Sequence, residues 1–322
     1  MSRVVIRGYR LGPLLSGTAK EIVADGVPTL AAQTAYYFFF SLFPLLLFLA
    51  PLLSVIGDER AMMQAIETQL ASVVGTQAFI PLKAALESVV FTNGAPGLMS
   101  TGLLLTAWSG SNIFGALMGA LNTAYGVPDD RPWWKRQAIR LGSFVVAGVI
   151  MILATVVMLG GEDVARLVSS RIGLGESGRL AWTILQFPLA ILFLVGLAFM
   201  LFYFLPNVKQ DWRHVLAAAV VTTVLWIVAT LLFRLYVQNF ASFNKTYGTI
   251  GGIIALLSWM YYSMFVVLAG GELAAELQHG TGAMTPQRGA IYNGRVVSGA
   301  GPGASSIARA YRANPPGTGD NA

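Results

Sequence analysis

Between Ser88 and Pro128 the chain runs 41 residues without a charged side chain. A soluble domain has little use for such a run, whereas a helix that crosses the hydrocarbon core of a bilayer needs about 20 apolar residues. Further uncharged runs cover residues 26–57, 141–161, 180–208, 215–233 and 246–271. Of the 322 residues, 55% are hydrophobic and only 11% charged, where soluble domains carry roughly 25% charged residues. The sequence therefore predicts an all-α polytopic membrane protein. Six transmembrane helices are expected near 32–56, 98–122, 139–160, 180–204, 215–237 and 248–271, with short amphipathic interfacial helices between them.

Lys and Arg in the connections set the orientation. Fourteen fall in the N-terminal arm, the loops after the second and fourth spans, and the tail; six fall in the opposite loops. This bias predicts a multi-pass protein of the bacterial inner (cytoplasmic) membrane with both termini cytoplasmic. Arg3, Arg7 and Arg10 are followed by no short apolar segment with a cleavage site, so the first span is expected to be retained. Residues 1–28 read as a cytoplasmic amphipathic arm, its helix over 14–28 ending at Gly26 and Pro28. Residues 29–278 read as the membrane domain, with a periplasmic loop over 57–97 holding two short amphipathic helices. Residues 279–322, rich in Gly and Pro, read as a disordered cytoplasmic tail. Trp133 and Trp134, beside Lys135 and Arg136, look like an interfacial belt, and Asp129 and Asp130 like a solvated turn.

The second span carries WSGSNIFGALMGALNTAYGV, residues 108–127. At about 100° per residue, Trp108, Ser111, Asn112, Gly115, Gly119 and Asn122 share one arc of about 100°, with Ile113, Phe114, Leu117 and Leu121 opposite. Ser111, Gly115 and Gly119 form a ladder of small residues that lets helix backbones approach, and asparagines hydrogen-bond across such contacts. The same stripe also suits a polar-lined cavity, and both readings stay open here.

Pro44 and Pro51 lie on one face of the first span. Each frees a carbonyl one turn earlier, which gives either a kinked packing helix or a hinge beside a cavity. Gly248 and Gly252 form a second close-packing pair in the last span. Arg234 is a basic residue inside a span, a functional candidate by default, although near a helix end its side chain can snorkel to the interface. Glu272 and Glu276, at i and i+4 where the helix dipole disfavours carboxylates, call for basic partners. Arg136, Lys209 and Arg213 are expected on the same side.

Enzymatic readings find little support. His214 and His279 show no metal-ligand spacing, and the chain contains no P-loop, no nucleophile elbow and no cysteine. No metal or cofactor is expected. A nucleic-acid platform of basic and aromatic residues is also missing.

Four stretches in order, AAQTAYYFFFSLFPLLL, WSGSNIFGALMGALNTAYGV, YFLPNVKQDWRHVLAAAVVTTVLW and YGTIGGIIALLSWMYYSMFVVLAGGELAAEL, resemble the YihY/BrkB family of bacterial inner-membrane proteins over residues 15–278. The resemblance implies a six-span helical protein of envelope biology without an established general activity. The old ribonuclease BN label of that family is regarded as mistaken; some members are linked to serum resistance and others to envelope lipid export. Gln33 departs from the small residue common in the family. The expectation is a transporter or flippase of a lipid or other amphiphile. Its path would be lined by Ser111, Asn112, Asn122, Trp108, Gln33 and Tyr36, with Arg234 attracting an anionic headgroup. A non-transporting assembly or scaffold protein is the alternative, and a membrane-embedded hydrolase a remote one. Membrane lipids, and a second copy of the chain, are the expected partners.

Overall fold

The structure, a computed structural model, describes residues 5–6, 9–56, 80, 96–159, 175–239, 242–281, 285–286, 291–292 and 295–296. Seven helices dominate: α1 (Leu11–Ala24), α2 (Val27–Ile56), α3 (Pro96–Ala124), α4 (Trp133–Leu159), α5 (Gly175–Phe204), α6 (Trp212–Asn239) and α7 (Ser242–Thr281). Three two-residue antiparallel pairings complete it: Val5–Ile6 with Tyr9–Arg10, Val208–Lys209 with Thr285–Pro286, and Ile291–Tyr292 with Arg295–Val296. This is an all-α polytopic membrane protein. The stretches Gly102–Ala124, Trp133–Thr155, Ile184–Phe204, Trp212–Val237 and Gly251–Gln278 are long and apolar enough to cross a membrane. The first expected span falls within the 30-residue α2.

Contacts run in a ring, α2–α3–α4–α5–α6–α7 and back to α2, and the α2–α3 pair is the most extensive. α7 also reaches α3 and α5 across the ring, and α1 lies against α7 and α2. The main core gathers at one end, here called basal, where α3 and α5 finish and α4 and α6 begin. It contains Phe114, Leu121, Tyr125, Phe202, Leu205, Val215, Ala219 and Leu268. A smaller cluster of Ala35, Leu256 and Met260 lies between α2 and α7.

Local chemistry sets the helix ends. α3 stops in a turn where the Gly126 N–H donates to Thr123 O (2.9 Å) and the Val127 N–H to Asn122 O (3.0 Å). This double closure puts Gly126 at φ 63°, in the left-handed region that glycine tolerates. Gly26 (φ 66°) ends α1 similarly, and Pro28 then sits in the first turn of α2, where its missing N–H costs nothing. Asp211 caps α6, with Oδ1 accepting from the Arg213 N–H at 2.9 Å.

Several expectations shift. α4 and its span begin at Trp133, six residues before the expected 139, because Pro132 opens the helix: its carbonyl accepts from the N–H groups of Lys135 and Arg136. Arg136 and Arg140, both counted with the charges of the loop after the second span, are helical. The last span runs on to Gln278, past both glutamates. α7 extends to Thr281, and Thr285–Pro286 pair with Val208–Lys209, inside the segment read as a disordered tail. α2 stays helical through Pro44 and Pro51, and α5 contains Pro188, which the sequence reading passed over. Apart from Ile80, Pro96 and Gly97, the loop 57–97 lies outside the described residues, as does the chain beyond Val296.

Candidate functional site

Polar side chains gather in two places on α3. At the basal end, the last carbonyls of α5 have no helical partner, and Pro206 prevents the helix from continuing. Side chains from elsewhere satisfy them. Gln210 Nε2 donates to Phe202 O (2.6 Å) and Tyr203 O (3.2 Å), and Arg131 Nη2 donates to Leu205 O (2.8 Å). Arg131 is held in turn by both oxygens of Asp129, at 2.8 and 3.2 Å. Asn207 spans the same corner, its N–H donating to Asn122 Oδ1 (2.7 Å) and its Nδ2 to Asp130 Oδ1 (2.5 Å). Asp129 and Asp130, expected to form a solvated turn, are thus fastened to α5 and the loop after it.

The Tyr125 hydroxyl donates to Gln210 Oε1 at 2.7 Å. Its phenol is pushed well above the usual tyrosine range, chiefly by burial and secondly by the nearby Glu272 carboxylate. Gln278 of α7 exchanges two hydrogen bonds with the Asp211 backbone, at 3.2 and 2.8 Å. One knot therefore ties the ends of α3, α5, α6 and α7.

The second place lies deeper. Arg140, in the second turn of α4, turns toward α3 rather than toward the basal surface. Its Nε donates to Ser111 O (3.3 Å) and its Nη2 to Asn112 Oδ1. Ser111 is 13 residues from the end of α3, or about 20 Å at 1.5 Å per residue. Gly115 makes room for the guanidinium: a Cβ there would fall 2.6 Å from Nε and 2.8 Å from Cζ. Tyr37 of α2 and Arg136 are the ionisable groups near enough to act on Arg140 electrostatically. Among the described residues no carboxylate pairs with it.

The predicted stripe divides between these centres. Ser111 and Asn122 are buried, and the Ser111 hydroxyl donates to Trp108 O at 2.8 Å. Asn122 does not line an open path, since its Oδ1 is taken by Asn207 and its buried Nδ2 has no partner. Trp108 is 64% exposed, Asn112 and Gly115 are half-buried, and Gly119 and Thr123 are exposed. The opposite side of α3 carries Phe114, Leu117 and Leu121 into the core. The accessible arc therefore faces away from the core, on the outer side of α3.

The glycine ladder is not a helix–helix contact. Gly115 seats an arginine, and a Cβ on Gly119 would meet nothing within 4 Å. The tight contacts lie elsewhere. A Cβ on Gly270 would fall 1.9 Å from Thr222 Oγ1, on Gly271 2.4 Å from Leu121 Cδ2, and on Gly110 2.3 Å from Phe144 Cε2. Gly252 is buried on α7; the surroundings of Gly248 and Pro51 lie outside the described residues.

The remaining expected residues stand apart from both centres. Gln33 and Tyr36 are exposed on α2, Tyr36 against the Phe40 ring (4.6 Å between centroids). Arg234 is exposed on α6. The expected ion pairs of Glu272 and Glu276 with Arg136, Lys209 and Arg213 do not form, because all three cations are exposed, Arg213 over the Trp212 ring. Glu272 points inward at 3% exposure, and the charges that act on it are the carboxylates of Asp25, Glu21 and Glu276. α1 rides over this site: a Cβ on Gly17 would fall 2.7 Å from Glu276 Oε1. Among the described residues, no group of three or more His, Cys, Asp or Glu is placed to hold a metal ion.

The family model for virulence factor BrkB matches residues 18–291. The chain belongs to the virulence factor BrkB family. Both α3 centres fall within the BrkB match. The chain is 32% identical over 250 residues to a putative ribonuclease-like protein YfkH of Bacillus subtilis, covering 77% of this chain and 88% of that one. It is 28% identical over 263 residues to a UPF0761 membrane protein of Pseudomonas aeruginosa, covering 80% of this chain and 61% of the relative. It is 27% identical over 258 residues to a UPF0761 membrane protein of Tolumonas auensis, covering 80% and 83%. No solved structure matches.

Sequence reading missed Arg140, which counted only as a loop charge. Pro132 held the signal: a helix opened there places Arg140 two turns in, on a face shared with Arg136 and Ser143.

Proposed function

We propose that this BrkB-family membrane protein moves a lipid or other amphiphile across the bacterial inner membrane, with the basal end and both termini on the cytoplasmic side. The supporting observation is the accessible arc of α3. From Trp108 to Thr123 it runs about 22 Å at 1.5 Å per residue, a large part of a hydrocarbon core of about 30 Å, and it carries Asn112 with the guanidinium of Arg140. A charge at mid-span costs about 2.5–3.5 kcal/mol on insertion scales. Bonds to a carbonyl and an amide offset only part of that cost, so a half-open cation beside an exposed arc suits a passing polar headgroup.

The rival reading is a non-transporting scaffold. It draws on Ser111 and Asn122, which are spent on structure. The ribonuclease-like wording belongs to the Bacillus relative; in this chain His214 sits at the cap of α6, 3.9 Å from Asp211, a place that explains it structurally.

Liposomes that hold the purified chain and a fluorescent phospholipid test the transport reading. Wild type should exchange lipid between leaflets faster than protein-free liposomes, and Asn112→Ala should slow the exchange. Equal rates with and without protein would favour the scaffold. Single cysteines at Ser72 and Ser305 test the orientation, and only the first should label from outside intact cells.

A further inference from the structure

We propose that the Arg140 centre is a transit site for the phosphate of a phospholipid that reaches the exposed arc of α3 sideways from the bilayer. The proposal rests on the lipid-handling reading above and gives it a headgroup chemistry and a residue.

A guanidinium has five N–H donors in a planar fork. Two are used here, on Ser111 O and Asn112 Oδ1, which leaves three. Both acceptors are neutral, and the ionisable neighbours are a phenol and a second arginine. The centre thus keeps a full positive charge and unspent donors, and phosphate oxygens match that fork in charge and geometry. The Gly115 notch fixes the guanidinium against α3, so the side chain is set before a ligand arrives.

Depth and surroundings favour a lipid over a free anion. The acceptors on α3 lie at mid-span, and an arginine that merely anchored the helix would point toward the basal surface. The exposed arc of α3 beside it is otherwise apolar, with Leu104, Leu105 and Trp108. That surface suits acyl chains.

The test uses the purified full chain in detergent, titrated with phosphatidylglycerol or with diacylglycerol of the same chains, and native mass spectrometry counts the lipid retained. Wild type should hold phosphatidylglycerol about tenfold more tightly, the worth of one charge-assisted contact. Arg140→Gln should erase the preference, and Arg140→Lys should keep part of it. Gly115→Ala, which displaces the guanidinium without removing its charge, should weaken it as well and decides the matter should Arg140→Gln fail to fold. Arg136→Gln, at the exposed start of α4, should leave it unchanged. Equal retention by wild type and Arg140→Gln, equal loss in Arg136→Gln, or displacement of the lipid by excess inorganic phosphate would each overturn the proposal. Retention that depends on Arg140 without any lipid exchange in liposomes would sink the transport reading alone. Exchange that survives Arg140→Gln would sink this proposal alone.

Discussion

Asn112 and Asn122 lie on one helix and on one stripe, yet their surroundings are opposites. Asn122 is sealed, its carbonyl oxygen taken by the Asn207 N–H. Asn112 is half-open and holds a cation with no carboxylate partner among the described residues. The same amide serves closure in one place and an unfilled charge in the other. Ten residues separate a part of the molecule built for stability from a part whose chemistry is incomplete without something else. The predictions below test whether that division is real.

The largest effect belongs to the sealed end. Arg131→Ala removes a buried guanidinium that joins Asp129 to the Leu205 carbonyl. Breaking a buried pair from one side costs about 3 kcal/mol, since the partner is left unsatisfied. Thermal unfolding in detergent should show this as a clear fall in midpoint. If Arg140→Gln destabilised the protein as much, the two centres would be equally structural and the contrast would collapse.

Next come two glycines that sequence alone treats alike. Gly270→Ala places a methyl 1.9 Å from Thr222 Oγ1 and 2.8 Å from its Cβ, so α6 and α7 must shift, at a cost of about 1–3 kcal/mol. Gly119→Ala meets nothing and should stabilise α3 by about 0.5–1 kcal/mol through helix propensity. Opposite signs in the same unfolding assay confirm that the close helix contact lies at α6–α7; a loss at Gly119 would restore the ladder reading.

Those glycines mark what was legible. The period of uncharged runs gave the helices, since bilayer thickness fixes their length whatever their partners. The stripe on α3 was legible too, because it needs only 3.6 residues per turn. Which neighbour meets each part of the stripe was not, because that depends on how the helices rotate against each other. Glu272 shows the same limit: its place on α7 was readable, but its turn toward α1 and the core, away from the exposed arginines, was not. Arg140 was counted among the loop charges although the expected span began at 139, and its turn toward α3 depends on how the two helices rotate against each other. The basal knot was missed because its members, Asn207, Gln210, Asp211 and Gln278, carry no periodic signal and bond mostly to backbone.

A smaller effect tests the electrostatics of the knot. Tyr125→Phe removes one hydrogen bond to Gln210, worth about 1 kcal/mol near neutral pH. Its pH signature is sharper. Burial raises the folded phenol well above the ordinary tyrosine value of about 10, so it stays protonated in the native state while the unfolded chain ionises. Below about pH 10 both states hold the proton and the group adds no pH dependence; as pH rises further, the unfolded state gains and stability falls. Wild type should therefore lose stability on the alkaline side faster than Tyr125→Phe. Parallel curves would mean that the hydroxyl reaches water.

The smallest effect is expected at Arg234, the residue to which the sequence reading gave the role of attracting a headgroup. It is exposed on α6, and no described hydrogen bond or ion pair holds it. Exposed substitutions of this kind usually shift stability by no more than about 0.5 kcal/mol, and Arg234→Ala should do no more. It should also leave the retention of phosphatidylglycerol at its wild-type level, because an exposed side chain on α6 has no preset acceptors and no notch to fix its fork. Arg140 and Arg234 are both arginines inside apolar helices, so their difference isolates what the setting contributes. A loss of lipid retention in Arg234→Ala equal to that in Arg140→Gln would show that charge within the membrane is sufficient. It would then remove the reason for placing the site where Arg140 of α4 meets α3.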